Sequence, residues 1–314
     1  MQKRKLGNTG PEVSLVGLGA NNFGGRIDLA ASRLVVDKAL DLGVTLIDTA
    51  DVYGNKGGSE ECLGQILGPR RKNVVLATKF GLPMDASGKR HGASRRYIMQ
   101  AVDASLRRLQ TDWIDLYQLH RPDAQTPIED TLGALDDLVK AGKICFIGCS
   151  NLSAVQLEEA QQVADRACLV SFICCQDEYS LLERDLEKDR LAIMRKHGLC
   201  LLPYFPLASG LLTGKYKRNA PLPPGSRLAK NPPRAGGVLN ARNWRIVDAL
   251  GAFAAARGHT LLELAMGWLA SRPFIASIIA GATRPEQVVA NAAAIGWTLS
   301  PADLAEIDRI TLGA

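Results

Sequence analysis

Short apolar runs recur along the chain, and each one stops at a small or polar residue. The run Ile114–Leu119, for example, ends just before His120. Runs of this kind are typical of parallel strands that are buried on both faces. The pattern predicts eight such strands, which end near Gly19, Asp48, Lys79, His120, Ser150, Gln176, Tyr204 and Ala280.

Helical periodicity separates the apolar runs. Apolar residues at helical spacing follow Ser94, whose hydroxyl makes it a good N-cap. The capping-box pattern, in which a hydroxyl residue precedes a Glu or Gln by three positions, predicts further helix starts. These starts are at Thr126, Ser153, Thr260 and Thr283.

Strands and helices alternate along nearly the whole chain, after a hairpin predicted for Gln2–Leu6 and Glu12–Ser14. Eight strands with helices between them favour a parallel barrel over an open sheet. No G-x-G-x-x-G motif follows a strand, so the signature of a dinucleotide-binding open sheet is missing. We therefore expect an α/β fold, a (β/α)8 TIM barrel with the N-terminal β-hairpin and extra C-terminal helices, in one domain over residues 1–314.

The segment Thr213–Asn240 interrupts the alternation, because it is rich in proline and glycine and too long for an ordinary connection. It is also basic, since no Asp or Glu occurs from Arg190 to Val247. Two interpretations remain open. The segment is either a mobile basic loop that folds over an anionic ligand at the barrel mouth, or a solvated insertion.

The composition is that of an ordinary globular protein, with 46% hydrophobic and 22% charged residues among 314. The net charge of +6 is mild and no basic run is interleaved with aromatic residues, so we expect no nucleic-acid partner. No signal peptide or membrane-spanning window is recognisable, so we expect no membrane partner. The seven cysteines lack CxxC spacing, which argues against disulfides and zinc and favours a cytoplasmic location.

Four ionisable residues lie at or just beyond successive strand ends: Asp48, Tyr53, Lys79 and His120. The carboxyl ends of barrel strands form the active-site face, so these side chains should meet. Lys79 should favour the phenolate and lower the pKa of Tyr53 from ~10, with Asp48 keeping the lysine charged. His120 would orient a carbonyl oxygen. Each residue alone has a simple structural explanation, but together they predict an enzyme that transfers protons to or from a carbonyl oxygen.

Several segments resemble the aldo-keto reductase superfamily, in particular its bacterial and channel-β-subunit-like branches. Leu46–Gly54 resembles the first signature of the family, and Asp112–His120 resembles its strand-four signature. Gly148–Asn151, Gln176–Leu181 and Gly210–Tyr216 resemble later blocks. The resemblance implies a (β/α)8 barrel and reversible, NADPH-dependent reduction of aldehydes or ketones, with the hydride supplied by the cofactor and no metal.

The resemblance also implies roles for individual residues. Tyr53 would be the general acid, tuned by Lys79 and Asp48, and His120 would orient the carbonyl group. The nicotinamide carboxamide would be bound by Ser150, Asn151 and Gln176, and its ring would stack on Tyr204. Further cofactor positions implied by the resemblance are Pro206, Leu207, Ser209, Lys215, Gly281, Thr283, Arg284, Gln287 and Asn291.

Two departures from the family pattern bear on the cofactor. Phe205 stands where the family often has a serine that contacts the cofactor. A lysine and an arginine that hold the 2′-phosphate in some branches are replaced by Gly281 and Gln287, with Arg284 as the nearest cation. A helix capped by Thr283 would still offer its N-terminus to a phosphate. We therefore expect NADP, with NAD as the other possibility.

Two other functions remain as alternatives. The resemblance to channel-subunit-like branches allows an NADP-binding redox-sensing or regulatory subunit with slow turnover. A barrel aldolase with Lys79 as a Schiff-base nucleophile fits less well, because Asp48 and Tyr53 suit proton tuning better. The expected partner is a small-molecule carbonyl or alcohol substrate. The sequence leaves open the physiological substrate, the preferred direction and the oligomeric state.

Overall fold

The computed structural model describes residues 1–313, so the final residue of the expected domain, Ala314, lies outside the described residues. Its centre is an eight-stranded parallel sheet, preceded by a two-stranded antiparallel hairpin. The hairpin consists of β1 (Lys3–Lys5) and β2 (Glu12–Ser14). The parallel strands are β3 (Val16–Gly19), β4 (Leu46–Asp48), β5 (Val75–Phe80), β6 (Ile114–Leu119), β7 (Ile144–Ser150), β8 (Phe172–Gln176), β9 (Cys200–Leu201) and β10 (Ile278–Gly281).

The sheet closes into a barrel. Its strand order is β10-β3-β4-β5-β6-β7-β8-β9, so the last strand in sequence lies beside the first parallel one. The two free edges meet where the Leu201 N–H donates to the Phe274 carbonyl at 2.7 Å and the Ala276 N–H donates to the Leu201 carbonyl at 3.1 Å. The predicted (β/α)8 fold with its N-terminal hairpin is therefore confirmed.

Helices follow the strands and cover the outside of the barrel. They are α1 (Leu29–Asp41), α2 (Tyr53–Leu67), α3 (Arg95–Leu109), α4 (Ile128–Lys140), α5 (Ala154–Arg166), α6 (Arg190–Lys196), α7 (Pro232–Val238), α8 (Ala241–Ala255), α9 (Leu261–Ala270), α10 (Pro285–Ala293) and α11 (Pro301–Leu312). Helices α7 and α8 are inserted before α9, and α11 follows the eighth strand-helix unit and packs on α8. Across residues 1–313, no helix is both long and apolar enough to cross a membrane.

The predicted helix starts are partly correct. The hydroxyl groups of Ser94, Ser153 and Thr260 cap α3, α5 and α9 as expected. Helix α4 instead has Pro127 at its N-cap position, because the Thr126 hydroxyl donates to the Asp123 carboxylate at 2.8 Å and does not cap the helix.

The hairpin closes the end of the barrel where the parallel strands begin. Leu6 and Val13 are completely buried and pack with Leu46, Ala77 and Leu116 from the barrel interior. Burial of an aliphatic side chain stabilises the fold by about 1.5–3 kcal/mol. We call this the closed end. Any ligand must enter at the other end, the open end, where the strands finish.

The segment Thr213–Asn240 borders the open end and is anchored there by a few buried side chains. Tyr216 and Leu228 are buried, and the Tyr216 hydroxyl accepts a hydrogen bond from the Leu228 N–H at 3.4 Å. Arg26 donates to the Gly225 carbonyl from across the barrel mouth. A few buried side chains anchor the segment to the barrel while most of its residues are exposed, so both interpretations remain predictions.

Candidate active site

A buried ion pair joins the ends of β4 and β5. Lys79 Nζ donates to Asp48 Oδ2 at 2.7 Å and to the Thr49 carbonyl oxygen at 2.7 Å. The Lys79 side chain is fully buried, and that of Asp48 is only 4% exposed. Strand pairing explains the contact, since Asp48 aligns with Ala77 and Lys79 lies two residues further along β5. The sequence places both charges on the inner face of the barrel, where a lone charge is costly and a pair is stable.

Tyr53 lies above this ion pair. Lys79 Nζ is 4.9 Å from the centre of the Tyr53 ring, and the rings of Tyr53 and His120 meet edge to face with their centres 5.7 Å apart. The next four residues have left-handed backbone angles, so α2 becomes regular only afterwards. Gly54 is required in this turn, because its φ is +67° and a Cβ would lie 2.4 Å from the Phe23 carbonyl oxygen. The turn thereby directs the phenol into the barrel mouth.

Burial and charge have opposite effects on these two proton-binding groups. Burial favours a lower pKa for Lys79, but the neighbouring Asp48 and Tyr53 outweigh it and raise the pKa. Burial raises the pKa of Tyr53, and the nearby Lys79 charge opposes this rise without reversing it. Lys79 thus acts on the Tyr53 pKa in the predicted direction, but the pKa is not brought nearer to neutral pH, because loss of water outweighs the ammonium charge. Tyr53 keeps its proton and Lys79 keeps its charge at neutral pH.

His120 is held in its neutral form. Burial, together with the charges of Lys79 and Arg121, lowers the pKa of His120 to about 3. The main-chain N–H of His120 donates to the Phe80 carbonyl at 2.9 Å. In the imidazole ring, the buried Nδ1 has no hydrogen-bond partner among residues 1–313. A neutral imidazole with an unpaired ring nitrogen can exchange a hydrogen bond with a ligand.

Two glutamines complete the polar floor. Gln176 Nε2 donates to Asp48 Oδ1 at 2.8 Å, and Gln118 Nε2 donates to the same oxygen at 3.2 Å. The Asp48 carboxylate thus accepts from Lys79 on one oxygen and from two amides on the other. Gln118 was missed from the sequence, although its position two residues before His120 puts it on the same inner face of β6.

The ends of β7 and β9 are connected through one amide. Asn151 Oδ1 accepts from the Tyr204 hydroxyl at 2.7 Å, and Asn151 Nδ2 donates to the His120 carbonyl at 3.2 Å and to Ser150 Oγ at 2.8 Å. Ser150 Oγ donates to the Gln176 carbonyl at 2.6 Å. These bonds fix a continuous polar wall beside Tyr53 and His120.

A cleft of about 390 Å³ lies within this ring of strand ends. It is lined by nearly all the residues that the sequence predicts: Asp48, Tyr53, His120, Ser150, Asn151, Gln176, Tyr204, Pro206, Leu207, Ser209, Lys215, Gly281, Thr283, Gln287 and Asn291. Lys79 lies beneath Tyr53, and Arg284 is exposed outside the cleft; neither lines it.

A model of the Aldo/keto reductase family matches residues 15–311 of the chain. The chain belongs to the aldo-keto reductase family. A probable voltage-gated potassium channel subunit beta of Arabidopsis thaliana is 38% identical, over 99% of this chain and 96% of its own length. Aldo-keto reductase YhdN of Bacillus subtilis (strain 168) is 35% identical, over 99% and 93%. L-glyceraldehyde 3-phosphate reductase of Escherichia coli (strain K12) is 32% identical, over 98% and 92%.

As a member of this family, the protein is an oxidoreductase. The family generally uses NAD(P)H. The protein's structure corrects one predicted helix cap, although Thr283 itself lines the cleft. Helix α10 begins at Pro285 with Arg284 at the N-cap, so Thr283 does not cap it. The Thr283 N–H instead donates to Gln287 Oε1 at 2.7 Å, since the chain turns one residue later than the capping-box pattern predicts.

The cleft of this aldo-keto reductase also contains charged residues that sequence reasoning did not assign to it. Arg26, Arg121 and Glu178 line it, and all three come from connections, where periodicity gives no signal. Arg227 and Arg234 come from the basic segment and lie 4.8 Å and 3.8 Å from the centre of the Phe205 ring. A basic, acid-free segment was the available signal for these two.

This set of donors fits a phosphate-bearing dinucleotide. Burial, together with the charges of Arg234 and Arg26, lowers the pKa of Arg227, which forms no ion pair with a carboxylate among the described residues. An anion stabilises such a guanidinium. Lys215 Nζ lies against Gly210, where a Cβ would come within 2.5 Å of it, so the glycine leaves room for the ammonium. In the described part of the chain, no group of His, Cys, Asp and Glu side chains is arranged to hold a metal ion.

Proposed function

We propose that this protein reduces aldehydes or ketones to alcohols, reversibly, with NADP as the cofactor. The observation that carries the proposal is the position of a protonated Tyr53 above the Lys79–Asp48 pair and beside a neutral His120, at the open end of the cleft. These groups have the chemistry needed to deliver a proton to a carbonyl oxygen.

Tyr53 acts as the general acid in this proposal. Burial keeps its proton on the phenol until a carbonyl oxygen that gains negative charge accepts it. Lys79, which stays charged, then stabilises the phenolate, and Asp48 balances the lysine charge when the phenol is neutral. Solvent returns the proton to Tyr53 after the alcohol leaves.

His120 positions the substrate. Its neutral ring shares a hydrogen bond with the carbonyl oxygen and directs that oxygen towards Tyr53. A charged imidazole would compete with Tyr53 as the acid, and burial beside Lys79 prevents that charge from forming. The rate of carbonyl reduction should therefore not follow a histidine titration near pH 6.5.

The cofactor supplies the hydride when it is bound. Ser150, Asn151 and Gln176 would bind the carboxamide, and Tyr204 would stack on the nicotinamide ring. Lys215, Arg227 and the N-terminal end of α10, near Thr283, Gln287 and Asn291, would bind the phosphates. Arg284, at the N-cap of α10, would be the cation for the 2′-phosphate, and on this basis we propose NADP over NAD.

The first experiment compares NADPH with NADH in thermal unfolding of the protein. A ligand that binds only the folded state raises the midpoint, so NADPH should raise it more than NADH at equal concentration. Oxidation of NADPH is then followed with a panel that includes 4-nitrobenzaldehyde, a small diketone and glyceraldehyde 3-phosphate. Glyceraldehyde 3-phosphate is included because one relative is named L-glyceraldehyde 3-phosphate reductase, and because Arg26 and Arg121 line the cleft.

Substitution of the acid provides the sharpest test. Tyr53→Phe removes the proton donor and keeps the ring, so kcat should fall by about 10²–10⁴-fold while NADPH still shifts the unfolding midpoint. Full reductase activity in this variant would overturn the mechanism. Equal stabilisation by NADH would overturn the cofactor preference alone.

The second candidate is an NADP-binding redox-sensing or regulatory subunit with slow turnover. It is favoured by the similarity to the Arabidopsis relative that is named a probable channel subunit. Tight NADPH binding, negligible turnover across the panel and a stable complex with another protein would support it. Rapid turnover of any carbonyl would favour the enzyme.

We also infer a cytoplasmic location and a small-molecule carbonyl or alcohol as partner. All seven cysteines are free thiols, five of them buried, which suits a reducing compartment. Cell fractionation with a tagged chain tests the location.

A further inference from the structure

Asp177, directly after β8, bonds to both of its neighbouring strand ends. Its side-chain Oδ1 accepts from the Asn151 N–H at 2.9 Å, at the end of β7. Its main-chain carbonyl accepts from the Tyr204 N–H at 3.0 Å, beyond the end of β9. One residue therefore holds the two residues that form the polar wall described above.

The Asp177 carboxylate is itself held from outside the cleft. Arg190, the first residue of α6, lies with Nη1 3.2 Å from Asp177 Oδ1. The Asp177 side chain is 4% exposed and that of Arg190 is 22% exposed. Burial raises the pKa of Asp177, and both the Arg190 charge and the Asn151 N–H oppose that rise. The carboxylate does not line the cleft, so it acts only through the residues that it contacts.

The conformation of Asn151 depends on this contact. Its φ is +62°, a left-handed conformation that costs a non-glycine residue free energy unless its surroundings compensate. The hydrogen bond from the Asn151 N–H to the Asp177 carboxylate offsets part of the free-energy cost of this conformation. In this conformation the Asn151 amide reaches Tyr204, Ser150 and the His120 carbonyl. A small rotation at Asn151 would break all three contacts.

We propose that Asp177, held by Arg190, is a positioning residue that fixes Asn151 and Tyr204 in the geometry that receives the nicotinamide end of the cofactor. The inference rests on the proposed function for its kinetic consequence. The placement of Asn151 and Tyr204 by Asp177 is a separate, structural consequence that requires no cofactor.

The chain contains a matched control at the closed end. Asp115 also pairs with a buried arginine, Arg71, at 2.7 Å, and also accepts a main-chain N–H, that of Leu76, at 2.9 Å. Asp115 lies at the beginning of β6, away from the cleft. Loss of either aspartate removes one ion pair and one main-chain hydrogen bond. Loss of Asp115 also removes the bond from Trp113 Nε1 at 3.2 Å, but only Asp177 is connected to the cleft.

The test compares Asp177→Ala, Asp177→Asn and Asp115→Ala with the unchanged protein. We expect Asp177→Ala to raise the Kd for NADPH and lower kcat, each on the order of tenfold, with little change in KM for the carbonyl. Asp177→Asn keeps an oxygen for the Asn151 N–H and should recover most of both losses. Asp115→Ala should lower the unfolding midpoint about as much as Asp177→Ala and leave Kd and kcat within twofold.

Amide hydrogen exchange without cofactor provides the independent readout. Asp177→Ala should accelerate exchange in the peptide that contains Asn151, whose N–H loses its acceptor, whereas Asp115→Ala should not. The Tyr204 N–H keeps its bond to the Asp177 main-chain carbonyl in both variants. If exchange in the Asn151 peptide is unchanged, or if Asp177→Ala lowers only the unfolding midpoint, Asp177 is merely structural and the proposal is wrong. Failure of the unchanged protein to bind NADPH or reduce any carbonyl would refute the proposed function, and hydrogen exchange would still decide the role of Asp177.

Discussion

The two ends of the barrel use similar buried ion pairs in different ways. At the closed end, Arg71 and Asp115 are 2.7 Å apart, and Arg71 also lies over the Trp113 ring, 4.5 Å from its centre. At the open end, Lys79 and Asp48 are also 2.7 Å apart. The distances are equal, so the separation of the charges does not distinguish a structural pair from a functional one.

The surroundings make the difference. The pair at the closed end contacts main-chain groups and the Trp113 indole, and it lies away from the cleft. The pair at the open end lies beneath a phenol and near an imidazole that border a cleft. A buried charge pair therefore indicates an active site only where its neighbours can exchange protons with a ligand.

The largest difference between the two ends is expected for Lys79→Met and its control Arg71→Met. Lys79→Met leaves the buried Asp48 carboxylate without its cation and should cost about 3–5 kcal/mol of unfolding free energy. Arg71→Met should cost less, because Asp115 is 20% exposed and keeps two N–H donors. Only Lys79→Met removes the charge that would stabilise the Tyr53 phenolate in the proposed mechanism, so it should also lower kcat by about 10²-fold or more. Urea unfolding and steady-state reduction measure the two effects.

A second substitution separates folding from chemistry at Lys79. Asp48→Asn combined with Lys79→Met removes both charges and should recover part of the lost stability without recovering kcat. If Arg71→Met lowered kcat as strongly as Lys79→Met, the contrast between the two ends would be lost.

The strand ends were predictable because apolar runs mark buried strands, and the barrel brings their carboxyl ends together. This places Asp48, Lys79 and His120 correctly. The contact of Gln118 was missed, because only the folded barrel brings its amide to the Asp48 carboxylate. The sign of the Tyr53 pKa shift was also missed, because the degree of burial is a property of the whole fold.

The connections were the least predictable part of the site. Arg121 and Glu178 follow strand ends but carry no periodic signal, and their orientation is set by tertiary contacts such as the bond from Arg234 to Glu178 at 2.7 Å. Thr283 had the capping-box spacing, yet the helix starts later because Gln287 binds its N–H. Local sequence patterns predict several possible helix starts, and side-chain contacts in the folded protein determine which one forms.

Truncation of a buried side chain beside the hairpin at the closed end should lower stability without changing activity. Leu6→Ala removes a completely buried side chain from the cluster with Val13 and Leu46 and should cost about 2–5 kcal/mol. The Kd for NADPH and kcat should stay within twofold. As a control, Leu34→Ala at a residue that is 60% exposed should change stability by less than about 0.5 kcal/mol. A large loss of kcat in Leu6→Ala would show that the two ends are coupled.

The last comparison concerns a second aspartate near the open end, where a pH dependence of stability is expected. Asp51 is three residues beyond Asp48 but does not line the main cleft. It borders a separate cavity of about 150 Å³ with Tyr97 and Arg108. Both carboxyl oxygens of Asp51 are buried without a hydrogen-bond partner among residues 1–313, whereas Asp48 has three donors. Burial, followed by the nearby Glu60, raises the pKa of Asp51 to about 8.

This raised pKa predicts a pH dependence that Asp51→Asn should remove. The folded protein keeps the Asp51 proton up to about pH 8, whereas the unfolded chain releases it near pH ~4. Stability from this group is therefore complete below pH ~4 and falls with rising pH, by at most about 1.4 kcal/mol per unit, until pH passes about 8. Urea unfolding at several pH values should show that the unfolding free energy of Asp51→Asn rises relative to that of the unchanged protein from pH ~5 to pH ~8. The difference should be constant above that range. If unfolding free energy depended on pH in the same way in both proteins, Asp51 would ionise normally in the folded state. An unpaired carboxylate at the open end would then be as well tolerated as the paired Asp48.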